Sequence, residues 1–381
     1  MLHKITAKNS IFRRLATSRR FLLVGAASGA FATIGMVLIL QGGAATFVAQ
    51  KEAETGTISP PASIVSDSNA SGGSAVRFNA STPPPPSGET LFTLVSMPDT
   101  QRETSNAAKY PRFQNRMTWL AQNKASLNLK YVFQVGDLQD WDDATHSHYE
   151  RASSALKTLD TAGIPYALTV GNHDTNAVCP GGSSCPGADT HAQLRNTTTW
   201  NNYYPTSRFK LDDVYEAGKT DNAYRTFKAG GLDFLVLNYE LWPRTPIVNW
   251  MKTVVAAHPR HNVILLSHSH LNGGGGIEGS NGGYGDNSPQ YVYDQVIKQY
   301  ANIRFTFSGH VGNAALRTDT GVNGNKIYSF LDCYHDESTN PMRLLTFDTA
   351  KNTISTKVYA PFTNQTRSDG QYNIANINWV R

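Results

Sequence analysis

The sequence predicts an α/β fold, and three observations carry the prediction. From Leu91 onward, short β-rich runs alternate with longer stretches of helical periodicity. A series of closely spaced strands follows towards the C-terminus. Five of the strands also run into Asp, Asn or His at their carboxyl ends, where ligands sit in open α/β sheets. Together these specify an α/β core with an added antiparallel portion.

The elements can be justified in order along the 381 residues. The formal net charge of +5 comes from the N-terminus: Lys4, Lys8, Arg13, Arg14, Arg19 and Arg20 precede the first acidic residue, Glu52. Beyond them 28 basic residues face 29 acidic ones, so no specific nucleic-acid binding is expected. Phe21 to Leu40 is uncharged and follows Ser18-Arg19-Arg20, which resembles a twin-arginine export signal. Residues 1–50 are therefore expected to be an export signal or an N-terminal anchor, and the protein extracytoplasmic, secreted or tethered to membrane or wall. Membrane contact is expected only through this segment, if it is uncleaved. Residues 51–90, rich in Ser and Gly and ending in Pro83-Pro84-Pro85-Pro86, are expected to be a disordered tether. Residues 91–381 are expected to form the folded domain that follows.

Within that domain the strand candidates are Leu91–Ser96, Tyr131–Val135, Tyr166–Val170, Leu232–Asn238, Val263–Ser267 and Ile303–Ser308, then Lys326–Leu331, Leu344–Asp348 and Thr353–Tyr359. Helices fit near Tyr110–Lys124, His146–Ala162, Pro246–His258 and Pro289–Tyr300. Cys179 and Cys185 bracket a Pro-Gly-Gly-Ser-Ser loop and suit a local disulfide, whereas Cys333 reads as an inert buried thiol. The polar strand ends are Asp99-Thr100-Gln101, Gly136-Asp137-Leu138-Gln139-Asp140, Gly171-Asn172-His173-Asp174, His268-Ser269-His270 and Gly309-His310. Carboxylate, amide and imidazole converging on one rim suit Mn, Fe or Zn, with no cysteine competing.

The order and spacing of these motifs resemble the calcineurin-like metallophosphoesterases from about Leu91 to the C-terminus, with GDxxD and GNHD the specific parts. The resemblance implies a sandwich of central mixed β-sheets flanked by helices, and two divalent metal ions. Asp137 would bridge them, Asn172, His268 and His310 would complete the second site, and Asp99 would serve the first. His173 would donate a proton to the leaving oxygen or stabilise its charge, oriented by Asp140. The chain departs from the family pattern at Gln101, where the family has the His of DxH, and at Gly312, where GHxH has its second His. Site one is accordingly expected to be oxygen-rich and weak, keeping Asp99, Asp137 and Gln101 and suiting Mg, Mn or Ca, with Asn313 a partial substitute. The implied activity is hydrolysis of phosphate mono- or diesters by a metal-activated water. The alternative is a non-catalytic metal- or ligand-binding protein on the same fold, motivated by the missing ligands.

Other residues carry blander expectations. His146 and His148 are assigned to the surface, and His270 is a candidate for the substrate pocket. His335-Asp336 is read as a turn that could reach the rim. Gly273–Gly285 lacks the Gly-Lys-Ser/Thr of a phosphate-binding loop and is expected to be mobile, a potential lid.

Overall fold

The computed structural model describes residues 62–78 and 89–381, apart from 186, 188 and 336–340. The chain divides into two compact units, Met1–Ser81 and Thr82–Arg381. The leader expected over residues 1–50 lies outside the described residues. No helix among the described residues is long and apolar enough to cross a membrane. Inside the expected tether, strands β1 (Ala62–Ser66) and β2 (Ser74–Phe78) pair antiparallel. Ile64 pairs with Val76 and Val65 with Ala75 across a turn with Gly72 and Gly73 at positive φ, a hairpin that the bulk composition hid.

The second unit contains strands β3 (Leu91–Met97), β4 (Leu129–Gln134), β5 (Tyr166–Leu168), β6 (Val178–Cys179), β7 (Ser183–Ser184), β8 (Asp213–Val214), β9 (Ala223–Ala229) and β10 (Leu232–Asn238). They are followed by β11 (Asn262–Leu266), β12 (Ile303–Ser308), β13 (Ala314–Thr320), β14 (Lys326–Asp332), β15 (Met342–Asp348), β16 (Thr353–Ala360), β17 (Gln365–Thr366) and β18 (Asn373–Ile374). One seven-stranded sheet runs β17-β16-β15-β3-β4-β5 with β18 also on β16, and the other runs β13-β14-β12-β11-β10-β9-β8. Strands β3, β4 and β5 are mutually parallel, as are β10, β11, β12 and β14; the remaining pairs in these two sheets are antiparallel. The antiparallel strands are therefore borders of both sheets instead of an appended portion. The Lys326–Leu331 run, expected among them, extends the parallel set.

Period-two burial explains the layering. In β3, Phe92 and Leu94 face the second sheet while Val95 and Met97 face helices. In β10, Phe234 and Val236 face inward and Leu235 and Leu237 outward. The inter-sheet core is aromatic: Phe92 lies 5.7 Å from Phe234, and Phe133 lies 5.1 Å from Phe307, ring centre to ring centre. Each such ring contributes about 1.5–3 kcal/mol by leaving water. On the first sheet's outer face pack α1 (Tyr110–Gln122) and α2 (Ser147–Ala162), through Phe113, Met117, Leu156 and Leu159. On the second sheet's outer face lies α3 (Thr245–Ala257), through Ile247, Val248, Met251 and Val255. The Pro289–Tyr300 stretch is one short α-turn, Pro289–Val292, continuing as a π-helical turn over Tyr293–Ile297. The result is a four-layer sandwich of mixed sheets flanked by helices, as the resemblance implied.

Candidate metal centre

The loops after β3, β4, β5, β11, β12 and β14 bring polar side chains to one rim, and glycines make that convergence possible. A Cβ on Gly136 would lie 2.3 Å from the His268 ring, one on Gly171 2.2 Å from Asp137 Oδ1, and one on Gly309 2.1 Å from Asp99 Oδ1. Each glycine of the three motifs thus admits a functional side chain from a neighbouring strand. Asp137 (φ 51°), His310 (φ 71°) and His335 (φ 43°) adopt left-handed backbone that such residues seldom hold without compensation.

Asp137, His268 and His310 form the first cluster of donors. His268 Nδ1 donates to the Val135 carbonyl at 2.8 Å, which aims Nε2 at Asp137 Oδ2, 3.0 Å away. His310 Nδ1 stands 3.1 Å from the same His268 Nε2. Burial opposes charge on His268, but Asp137 outweighs it and raises the imidazole to about 9. Burial and the charge of His268 push His310 down to about 4. Burial also opposes the ionisation of Asp137, yet His268 and His173 hold it below the carboxylate range.

His173 stands beside this cluster. Its backbone N–H donates to Asp137 Oδ1 at 3.0 Å, and its Nε2 is 4.0 Å from Asp137 Oδ2. Its Nδ1 is 2.6 Å from the Asp140 carbonyl and 3.3 Å from Asp140 Oδ1, so Asp140 orients the ring with main chain and side chain together. Burial disfavours the imidazolium, but the Asp137 charge and the Asp140 hydrogen bonds raise it to about 9. The expected Cys179–Cys185 disulfide is present and closes the β6–β7 hairpin. A Cβ on Gly182 in that hairpin would come within 3.5 Å of Asp140 Oδ1 and 3.8 Å of His173 Cε1.

Around Asp99 the structure corrects the sequence reading. Cys333 Sγ lies 3.3 Å from Asp99 Oδ2, His335 Nε2 lies 3.3 Å from the same oxygen, and the sulfur is 3.2 Å from that nitrogen. Cys333 is buried, but it is not an isolated thiol, and His335 reaches the rim instead of merely turning the chain. The signal was available: Lys326–Leu331 ends in chemistry-bearing residues as the other five strands do, but grouping it with the antiparallel run concealed this. Gln101 is buried at the start of a short helix, Gln101–Ser105, with Oε1 unpartnered. Gly312 (φ 85°) backs onto Gly273, whose Cα a Cβ would meet at 2.9 Å, so no side chain enters from there. Asn313 is exposed.

Other expectations change as well. His148 is buried against Trp141, while His146 stays at the surface bonded to Asp142. His270 is buried, 3.3 Å from Ser329 Oγ, and out of reach of a substrate; burial lowers its pKa to about 4. The glycine-rich stretch is tied down: Leu271 bridges to Ile277, Gly285 N donates to Asn281 O, and Gly282 and Gly285 pack on Trp242, which abuts His310 edge-on at 5.6 Å. Asp174 was missed as a functional residue. Its two oxygens accept from Gln139 N at 2.9 Å and Gly171 N at 2.8 Å, locking the GDxxD loop to the GNHD loop.

The donors fit divalent cations. Two imidazole nitrogens and a carboxylate oxygen converge, His268 Nε2 standing 3.1 Å from His310 Nδ1 and 3.0 Å from Asp137 Oδ2, the donor set of a divalent cation. Asn172 Oδ1 and Gln101 Oε1 are buried without a hydrogen-bond partner, a costly state that ligation would relieve. A family model described as calcineurin-like phosphoesterase matches residues 94–313, which contain Asp99, Gln101, Asp137, Asn172, His268 and His310. The chain belongs to the calcineurin-like phosphoesterases. Among curated relatives of this calcineurin-like phosphoesterase, the uncharacterized protein YvnB of Bacillus subtilis strain 168 is 27% identical over 290 residues, 73% of this chain and 20% of YvnB. The chain thus spans about a fifth of that relative's length. Among solved structures it is similar to the purple acid phosphatase PPD1 of yellow lupin, at 14% identity and TM-score 0.49, covering 77% of this chain and 55% of that one. It is also similar to a dimetal phosphatase of Danio rerio, at 10% identity and TM-score 0.48, covering 75% and 99%.

Proposed function

We propose that this protein is an extracytoplasmic phosphoesterase that hydrolyses phosphate mono- or diesters with water at a two-cation centre. The observation that carries the proposal is His173, held by Asp140 beside Asp137, because a proton donor at that point serves turnover and not metal storage. Asp137, Asn172, His268 and His310 would hold one cation, and Asp99 with its neighbours the other, Asp137 being shared. Cations bound there would neutralise phosphoryl charge and activate the attacking water. His173 Nε2 would then deliver its proton to the leaving oxygen, with Nδ1 anchored on Asp140 throughout.

A polar pocket of about 580 Å³ opens next to His173 and Gln101. Arg102, Lys109 and Arg151 line it, which favours a leaving group bearing negative charge of its own. The Cys179–Cys185 disulfide supports work outside the reducing cytoplasm. The non-catalytic alternative rested on missing ligands, and Cys333 and His335 beside Asp99 weaken that motive.

The test is hydrolysis of aryl phosphate mono- and diesters by metal-loaded protein, with Asp137→Asn and His173→Asn beside it. Asp137→Asn is expected to abolish turnover, and His173→Asn to lower kcat by about 10²–10⁴ with KM little changed. Wild type as silent as Asp137→Asn on both ester classes would defeat the proposal.

A further inference from the structure

We propose that Cys333 and His335, together with Asp99, ligate the first cation, making it a carboxylate–thiolate–imidazole site selective for zinc, cobalt or iron over magnesium and calcium. This rests on the phosphoesterase reading only in expecting a cation at Asp99. It reverses the oxygen-rich site that the sequence alone suggests.

Three donor atoms of different chemistry meet at one point. Asp99 Oδ2, Cys333 Sγ and His335 Nε2 are mutually separated by 3.2–3.3 Å, with Asp99 and Cys333 fully withdrawn from water. Cys333 and His335 lie two residues apart directly after β14, and the segment brings both to Asp99. That end is pinned from the other side. Asp332 is buried and accepts from Arg343 Nε at 2.7 Å and from the Tyr334 hydroxyl at 2.7 Å, turning Tyr334 away from Asp99. The left-handed backbone at His335 completes the approach. On the opposite flank, Gly309 leaves room for Asp99, whose Oδ2 also accepts from His310 N at 3.1 Å.

The two departures from the family pattern become intelligible as a pair. Gly312 is packed against Gly273 and supplies nothing, and Gln101 supplies at most an amide oxygen. The nitrogen lost from both positions returns as His335, and a soft sulfur is added. Thiolate favours zinc and its soft or borderline neighbours, whereas magnesium and calcium demand oxygen.

Cobalt(II) titration of the full chain, stripped of metal and kept under anaerobic conditions, tests this directly. The expected result is two equivalents bound, one of which develops a near-ultraviolet thiolate-to-cobalt charge-transfer band. Cys333→Ser should erase the band and weaken that equivalent by on the order of 100-fold or more, leaving the other unchanged. Should Cys333→Ser fail to fold, His335→Gln, at a partly exposed position, should still weaken the band-forming equivalent while the fold survives by circular dichroism. Absence of the band in wild type, or a band and affinity unaltered in the variants, overturns the assignment. Ester hydrolysis is measured on the same samples. A thiolate band without turnover leaves this site standing and defeats the enzymatic reading, and turnover without the band does the reverse.

Discussion

His173 shows how a single side chain depends on what surrounds it. In metal-free protein its raised pKa means that the folded state holds the proton more tightly than the unfolded chain. Its contribution to stability is therefore whole below about pH 6.5 and is lost as pH rises through about 9. Asp137 is the largest single source of the upward pull, ahead of each Asp140 contact, so cations that cancel its charge should lower the His173 pKa. Histidine NMR titration of stripped and zinc-loaded protein checks this, and an unchanged value would show that Asp137 does not set it. Gly309 makes a comparable point about space. Gly309→Ala places a methyl group against Asp99 Oδ1 and should cost the Asp99-centred cation at least about tenfold in affinity, whereas Gly279→Ala, with open space around it, should be silent. Calorimetric metal titration of both variants distinguishes them.

At the scale of elements, the small β6–β7 hairpin has influence beyond its size. Its disulfide spans only six positions, so its loss should hardly alter global stability, but Gly182 is a wall for Asp140 and His173. Cys179→Ser/Cys185→Ser is expected to lower kcat several-fold while Tm moves by only a few degrees, measured by thermal unfolding and steady-state assay. Legibility in sequence also divides by element. Strands β10 and β12 were readable to the residue because runs rich in Leu, Val, Ile and Phe close on a polar residue, Asn238 and Ser308. Strand β9 was not, since Ala-Tyr-Arg-Thr-Phe-Lys-Ala keeps a half-exposed border position, although Gly230-Gly231, both at positive φ, mark the tight turn into β10. Asp137, Asn172 and His173 were readable because two dense motifs carry them. Cys333 and His335 were not, because no dense motif carries them and the strand that precedes them sits in a run of closely spaced strands that reads as antiparallel, although it joins the parallel set.

For the whole molecule, the two sheets are joined by more than aromatic packing. Arg343 of β15, in one sheet, pairs with Asp332 of β14, in the other, and neither is exposed. Arg343→Leu would strand a buried carboxylate, and a loss of about 3–5 kcal/mol is expected in denaturant unfolding. Arg343→Leu/Asp332→Asn should recover part of it.

The donors of the centre are likewise divided between the sheets. Asp99, Asp137 and Asn172 follow strands of one, and His268, His310, Cys333 and His335 follow strands of the other. During synthesis, then, a nascent chain has no complete metal centre until residue 335 has left the ribosome and the sheets have closed on each other. Metal capture becomes a late event, and its rate in refolding experiments is a clock for the docking of the two halves.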